Sequence, residues 1–87
     1  AEASTTEDPW VRMAAVRAMA KIDPGRTVPY LIPLFSVESD WVRSDAATLA
    51  HVLRDERTLP HLEKMLTDKN YEVRFLAAEA IKSIERK

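Results

Sequence analysis

The chain has 87 residues, 46% of them hydrophobic and 31% charged, with a formal net charge of -1. That composition describes one small globular domain and excludes a disordered tail; the near-zero charge excludes a long-range pull toward nucleic acid or an anionic membrane. The absence of cysteine excludes disulfides and thiolate metal sites, and a single glycine, Gly25, argues against a turn-rich all-β fold.

The first predicted element covers about 9–22. Asp8 stands where its carboxylate can accept the free N–H groups that open a helix, and Pro9 follows at a position that needs no N–H. Val11, Ala14, Ala15, Ala18 and Ile22 then form an apolar stripe at helical spacing, which predicts an inward face. The turn Asp23-Pro24-Gly25 leads to a short helix over about 26–36 with Val28, Leu31, Leu34 and Phe35 inward. Pro33 removes the bond that an α-helix would make to Pro29, so a kink or early fraying is expected there. A third helix runs over about 40–53 behind Ser39, with the stripe Val42, Ala46, Leu49, Ala50, Leu53. A fourth covers about 56–67, with Pro60 in its first turn and Leu59, Leu62, Met65 and Leu66 inward. A fifth covers about 71–85 behind Asn70, with Val73, Leu76, Ala77, Ala80, Ile81 and Ile84 as its stripe.

These elements repeat. Val11-Arg12, Val42-Arg43 and Val73-Arg74 are 31 positions apart both times (11 to 42, 42 to 73). At that offset Trp10 falls on Trp41, Ala15 on Ala46 and Ala77, Ile22 on Leu53 and Ile84, Arg26-Thr27 on Arg57-Thr58, and Pro29 on Pro60. The helix-opening residues Asp8, Ser39 and Asn70 share one phase. Each helix pair has an apolar face too wide to cover alone, so the pairs must stack. The expected units are 8–38, 39–69 and a partial 70–87 within a single domain over 1–87, preceded by a flexible tail over 1–7.

The pattern D-P-W-V-R-x-x-A-A-x-x-A at 8–19, followed after a turn by R-T-x-P-x-L at 26–31, resembles the short HEAT-like repeats of the phycobilisome-lyase type. The resemblance covers 8–87. It implies an all-α, right-handed α-α superhelix of five helices and about two and a half repeats, with the short helices lining a concave side. It further implies a non-catalytic binding or scaffolding role, without a cofactor, free-standing or as a module of a larger protein; some relatives assist bilin attachment to phycobiliproteins, and distant ones bind DNA. The chain begins with Ala1 and has neither a signal peptide nor a run long enough to span a bilayer, so it reads as a processed product or a piece of something longer; the absence of cysteine fits cytosol and periplasm alike, and the cytoplasm is the expected location.

The resemblance names no site, so candidates come from position. Arg12, Arg43 and Arg74 are either a structural ladder to acids in neighbouring turns (Asp8, Asp40, Asp68) or a row for carboxylate or phosphate. Trp10 and Trp41 are either exposed anchors for a partner protein or lids over the core. Tyr30, His61 and Lys64 lie off the inner stripe of the short helices and are expected to share a groove. Phe75, in the phase of Met13 and Ser44, is a further contact candidate. His51 and His61 lie on different helices without an acidic trio, so no metal site is expected, and no nucleophile or phosphate-loop motif is present. Nucleic-acid contact through Arg12, Arg17, Arg26, Arg43, Arg54, Arg57 and Arg74 would have to overcome the balancing acids. Neither end reads as a polar cap, so the outer flank of the last helix is expected to be covered by a partner protein of unknown identity, by another copy through self-association of the ends, or by a missing short helix.

Overall fold

The computed structural model describes residues 8–86; the expected tail over 1–7 lies outside them. Five α-helices follow one another: α1 (Pro9–Ile22), α2 (Pro24–Leu31), α3 (Asp40–Leu53), α4 (Leu59–Met65) and α5 (Tyr71–Glu85). Two 3-10 segments, Ile32–Ser36 and Glu56–Thr58, complete the order, and no strand occurs among the described residues. The long helices α1, α3 and α5 lie side by side in sequence order, with α2 and α4 packed along them. This is an α-α solenoid.

Local chemistry sets the boundaries. Asp8, Ser39 and Asn70 each sit in extended backbone, and their side-chain oxygens accept from Trp10, Val42 and both Glu72 and Val73 N–H respectively. Pro33 has the expected effect: α2 stops at Leu31 and the chain continues as a 3-10 segment. In the second repeat the 3-10 turn comes first, and Pro60 occupies the opening of α4. The turns between paired helices share one device. Thr27 Oγ donates to the Asp23 carbonyl at 2.8 Å and Thr58 Oγ to the Asp55 carbonyl at 2.7 Å, and both threonines are fully buried. Arg57 bridges the two turns by donating to the Gly25 carbonyl at 2.8 Å.

The core is one cluster built from α1, α2, the 3-10 segment that follows it, α3, α4 and α5, with Leu31, Leu34, Leu62 and Ile84 among its largest members. Alanines at 46, 47, 50, 77 and 80 let α3 and α5 approach closely. Two expectations fail here. Leu66 is exposed, because α4 ends at Met65 and the chain turns away. More consequentially, the stripe Val11, Ala14, Ala15, Ala18, Ile22 faces solvent, with Ile22 84% exposed, whereas α1 buries Met13 and Val16. The corresponding positions Val42, Ala46, Val73, Ala77, Ala80 and Ile84 are all buried. In α3 and α5 that stripe packs toward the preceding repeat; α1 has no described element on that side.

Candidate functional site

A groove of about 590 Å³ lies between the 3-10 segment after α2 and helix α4. Ile32, Phe35, Val37 and Met65 supply its apolar surface, and His61, Lys64 and Lys69 its basic one. Phe35 and His61 stack across it, ring centroids 6.3 Å apart and 29° between planes. The aromatic floor is carried by the 3-10 segment Ile32–Ser36, whose Leu34 joins Leu31 of α2 in the core, and the basic rim by α4 and the turn that follows.

One end of the groove is closed by a buried ion pair. Arg43 donates from Nε to Asp68 Oδ2 at 2.7 Å and from Nη2 to Oδ1 at 3.0 Å, a fork on a carboxylate. Its Nη1 donates to the carbonyls of Val37 and Glu38 at 2.8 and 2.9 Å, so the guanidinium ties the last turn of one repeat to the first helix of the next. Burial alone would push the Asp68 carboxyl up. The Arg43 hydrogen bonds, the Asn70 N–H and the charges of Arg43 and Lys69 outweigh it and hold the carboxyl below its ordinary value. The ionised Asp68 is thereby paired with Arg43, while Lys64 and Lys69 have no ion-pair partner among the described residues.

The three arginines of one phase have three environments. Arg74 donates from Nη1 to the Asp68 carbonyl at 2.7 Å and lies 6.0 Å from the centroid of the exposed Tyr71 ring. Arg12 differs most. By the spacing that joins Arg43 to Asp68, its carboxylate partner would fall at position 37, which is valine. Its Nε is buried and has no hydrogen-bond partner among the described residues. Arg12 instead lines a second, apolar cleft of about 210 Å³ with Val16, Met19, Pro29, Tyr30 and Pro33.

The expected grouping of Tyr30, His61 and Lys64 is therefore split. His61 and Lys64 share the groove, and Tyr30 lies in the Arg12 cleft; Pro33 borders both. The lid reading of the tryptophans fails: Trp10 is 49% and Trp41 70% exposed, because the side chain one position before the valine phase points out of the stack. Phe75 is 52% exposed on the outer side of α5. His51 lies far along α3 in a cleft with Arg54, Glu79, Lys82 and Arg86, apart from His61, and no group of three or more His, Cys, Asp or Glu residues with metal-holding geometry occurs among the described residues. The arginines do not form one free basic face: Arg17, Arg43 and Arg57 are each ion-paired, to Asp45, Asp68 and Asp55. Sequence reasoning missed Lys69, whose phase holds Glu38 one repeat earlier, and the buried threonines, whose recurrence at 27 and 58 was the available signal.

Helical pairs stacked at a fixed interval, capped alike and joined by one arginine device, define a solenoid repeat protein. Residues 1–52 match the family model described as HEAT repeats, and residues 58–86 match that of the HEAT repeat. The chain belongs to the HEAT-repeat family, whose members are generally protein-interaction scaffolds. No curated protein and no solved structure matches it. No helix among the described residues is long and apolar enough to cross a membrane.

Proposed function

We propose that the chain is a non-catalytic scaffold that receives a short acidic and apolar segment of another protein in the groove between its repeats. The observation that carries this reading is the pairing of an apolar floor (Ile32, Phe35, Met65) with two lysines that have no ion-pair partner among the described residues, where Asp68, the only carboxylate that the described residues bring to the lining, is already bound by Arg43. An apolar side chain seated beside Phe35 and His61 would supply the desolvated anchor, and Asp or Glu on either side would meet Lys64 and Lys69. The 31-residue interval supports assignment to the short, phycobilisome-lyase-type subclass. An accessory role in bilin attachment would follow from that subclass alone, since no residue set in the groove calls for it.

A displayed peptide library selected on the chain tests the proposal. Enriched sequences should combine an aromatic or aliphatic residue with flanking acids. The double variant Lys64→Glu/Lys69→Glu should weaken the best peptide by roughly tenfold or more, with a dependence on salt. Enrichment without acids, or unchanged affinity in the variant, would refute it.

A further inference from the structure

We infer that the cleft between the last turns of α3 and α5 is a binding site for a phosphate monoester carried on a side chain of a partner protein. The cleft has a volume of about 350 Å³ and is lined by His51, Arg54, Glu79, Lys82, Ser83 and Arg86. It shares no residue with the groove of the scaffold reading, so the two stand or fall separately. Arg54 and Arg86 have no ion-pair partner among the described residues. Lys82 lies 3.2 Å from Glu79 in a solvent-exposed pair, which holds its cation weakly.

Helix stability does not account for this charge. The carbonyl end of a helix favours a basic group in its last turn, and Lys21, His51 and Lys82 meet that need in α1, α3 and α5. Arg54 and Arg86 come after those turns. Stacking does not account for it either, because residues that maintain a stack recur with its interval. One interval earlier, at the joint of α1 with α3, the six positions hold Ala20, Asp23, Thr48, His51, Val52 and Asp55, with neither arginine nor lysine. That joint also shows that a following repeat leaves this surface open. There α2 and α4 each follow their long helix, yet Thr48, His51 and Val52 stay exposed. The backbone adds a further sign. Arg54, the C-cap of α3, is the one described residue with a positive φ, at φ 53° and ψ 45°. Glycine would hold that turn without strain, but the sequence places a guanidinium there, at the cleft.

Charge balance selects the ligand. Arg54, Lys82 and Arg86 against Glu79 leave two positive charges in the lining. A carboxylate would cancel half of that, whereas a phosphate monoester carries a charge of about −2 near neutral pH. Guanidinium groups also match phosphate oxygens with paired N–H donors. Ser83 Oγ donates to the His51 carbonyl at 3.2 Å and so ties α5 to α3 across the cleft. A nucleic acid would need cations along a track, and Arg17, Arg43 and Arg57 are already bound to Asp45, Asp68 and Asp55. One confined cluster fits one phosphate group.

Amide chemical shifts of the full chain test this, titrated at low salt with a phosphoserine flanked by alanines. The serine and glutamate versions of that peptide serve as controls. Amides at 51–54 and 82–86 should shift and saturate as one site, and inorganic phosphate should move the same set. The serine peptide should leave them unmoved, and the glutamate peptide should bind roughly tenfold more weakly. Arg54→Gly should weaken the phosphopeptide by roughly fivefold or more. It should do so without lowering the unfolding midpoint, because glycine suits the left-handed turn, so misfolding would not explain the loss. Arg86→Gln should weaken it comparably, and Lys64→Glu/Lys69→Glu should leave it unchanged. Absence of a saturable shift overturns the inference, as does an equal response to the glutamate peptide or affinity that survives Arg54→Gly and Arg86→Gln together. Tighter binding at these residues by duplex DNA or by a phosphatidylserine vesicle would assign the cluster to another class of partner and overturn it equally.

Discussion

The first and second repeats carry the same letters at the same interval, yet their long helices live in different surroundings. Val42 is fully buried and Val11 is 54% exposed. Arg43 is saturated by a carboxylate and two carbonyls, while the Nε of Arg12 is buried without a described partner. The length and opening of the helices do not produce this contrast, since both are fourteen residues long with equivalent N-caps. The lesson is that in a solenoid the neighbour, and not the motif, fixes the contribution of a residue.

The strongest way to break the comparison is at the arginines. Arg43→Ala leaves the part-buried Asp68 carboxylate unpaired and frees two carbonyls, so urea unfolding should show a loss of about 3 kcal/mol. Arg12→Ala should cost less than about 1 kcal/mol in the same assay, because the Nε contact it removes is not made. The pair also predicts a pH response. Asp68 is held below its ordinary carboxylate value in the folded chain, so its ionised form contributes stability that is fully present above about pH 4. That contribution is lost as pH falls through the depressed folded value. Asp68→Asn should be less stable at neutral pH and should lose less on acidification than the wild type; an identical acid slope would contradict the assignment.

The valines come next. Val42→Ala opens a cavity at a fully buried site and should cost about 2 kcal/mol, whereas Val11→Ala should change the midpoint by less than about 0.5 kcal/mol. Equal costs would mean that α1 is covered after all. The threonine turns are expected to behave alike in both repeats. Thr27→Val and Thr58→Val each remove a buried hydroxyl bond to a carbonyl, at about 1 kcal/mol. The smallest effect sharpens the contrast instead of breaking it. Val37→Asp places a carboxylate at the position that serves Arg43 in the next repeat and should return about 0.5 kcal/mol through Arg12, a gain that vanishes in the Arg12→Ala background.

Much of the fold was legible because its signals are local. The caps at Asp8, Ser39 and Asn70 and the breaks at Pro33 and Pro60 depend on backbone groups within four residues, so the long helices begin and end where the residues say. The recurrence of Val-Arg and Arg-Thr exposed the stack. The candidate site was less legible. His61 and Lys64 come together on one turn of α4, but Tyr30, on α2, shares a cleft with Arg12 instead. Which acid an arginine reaches depends on loop paths, and only Asp68 of the three considered supplies a carboxylate to the ladder.

The sequence by itself determined the helices, their interval and their alternation of long and short, because caps, prolines and 3.6-residue periodicity act within one segment. Tertiary structure alone decided which stripes are buried. The Val-Ala-Ala-Ile stripe of α1 is as apolar as those of α3 and α5, and it lies open because burial requires a neighbour, a property that no single helix carries.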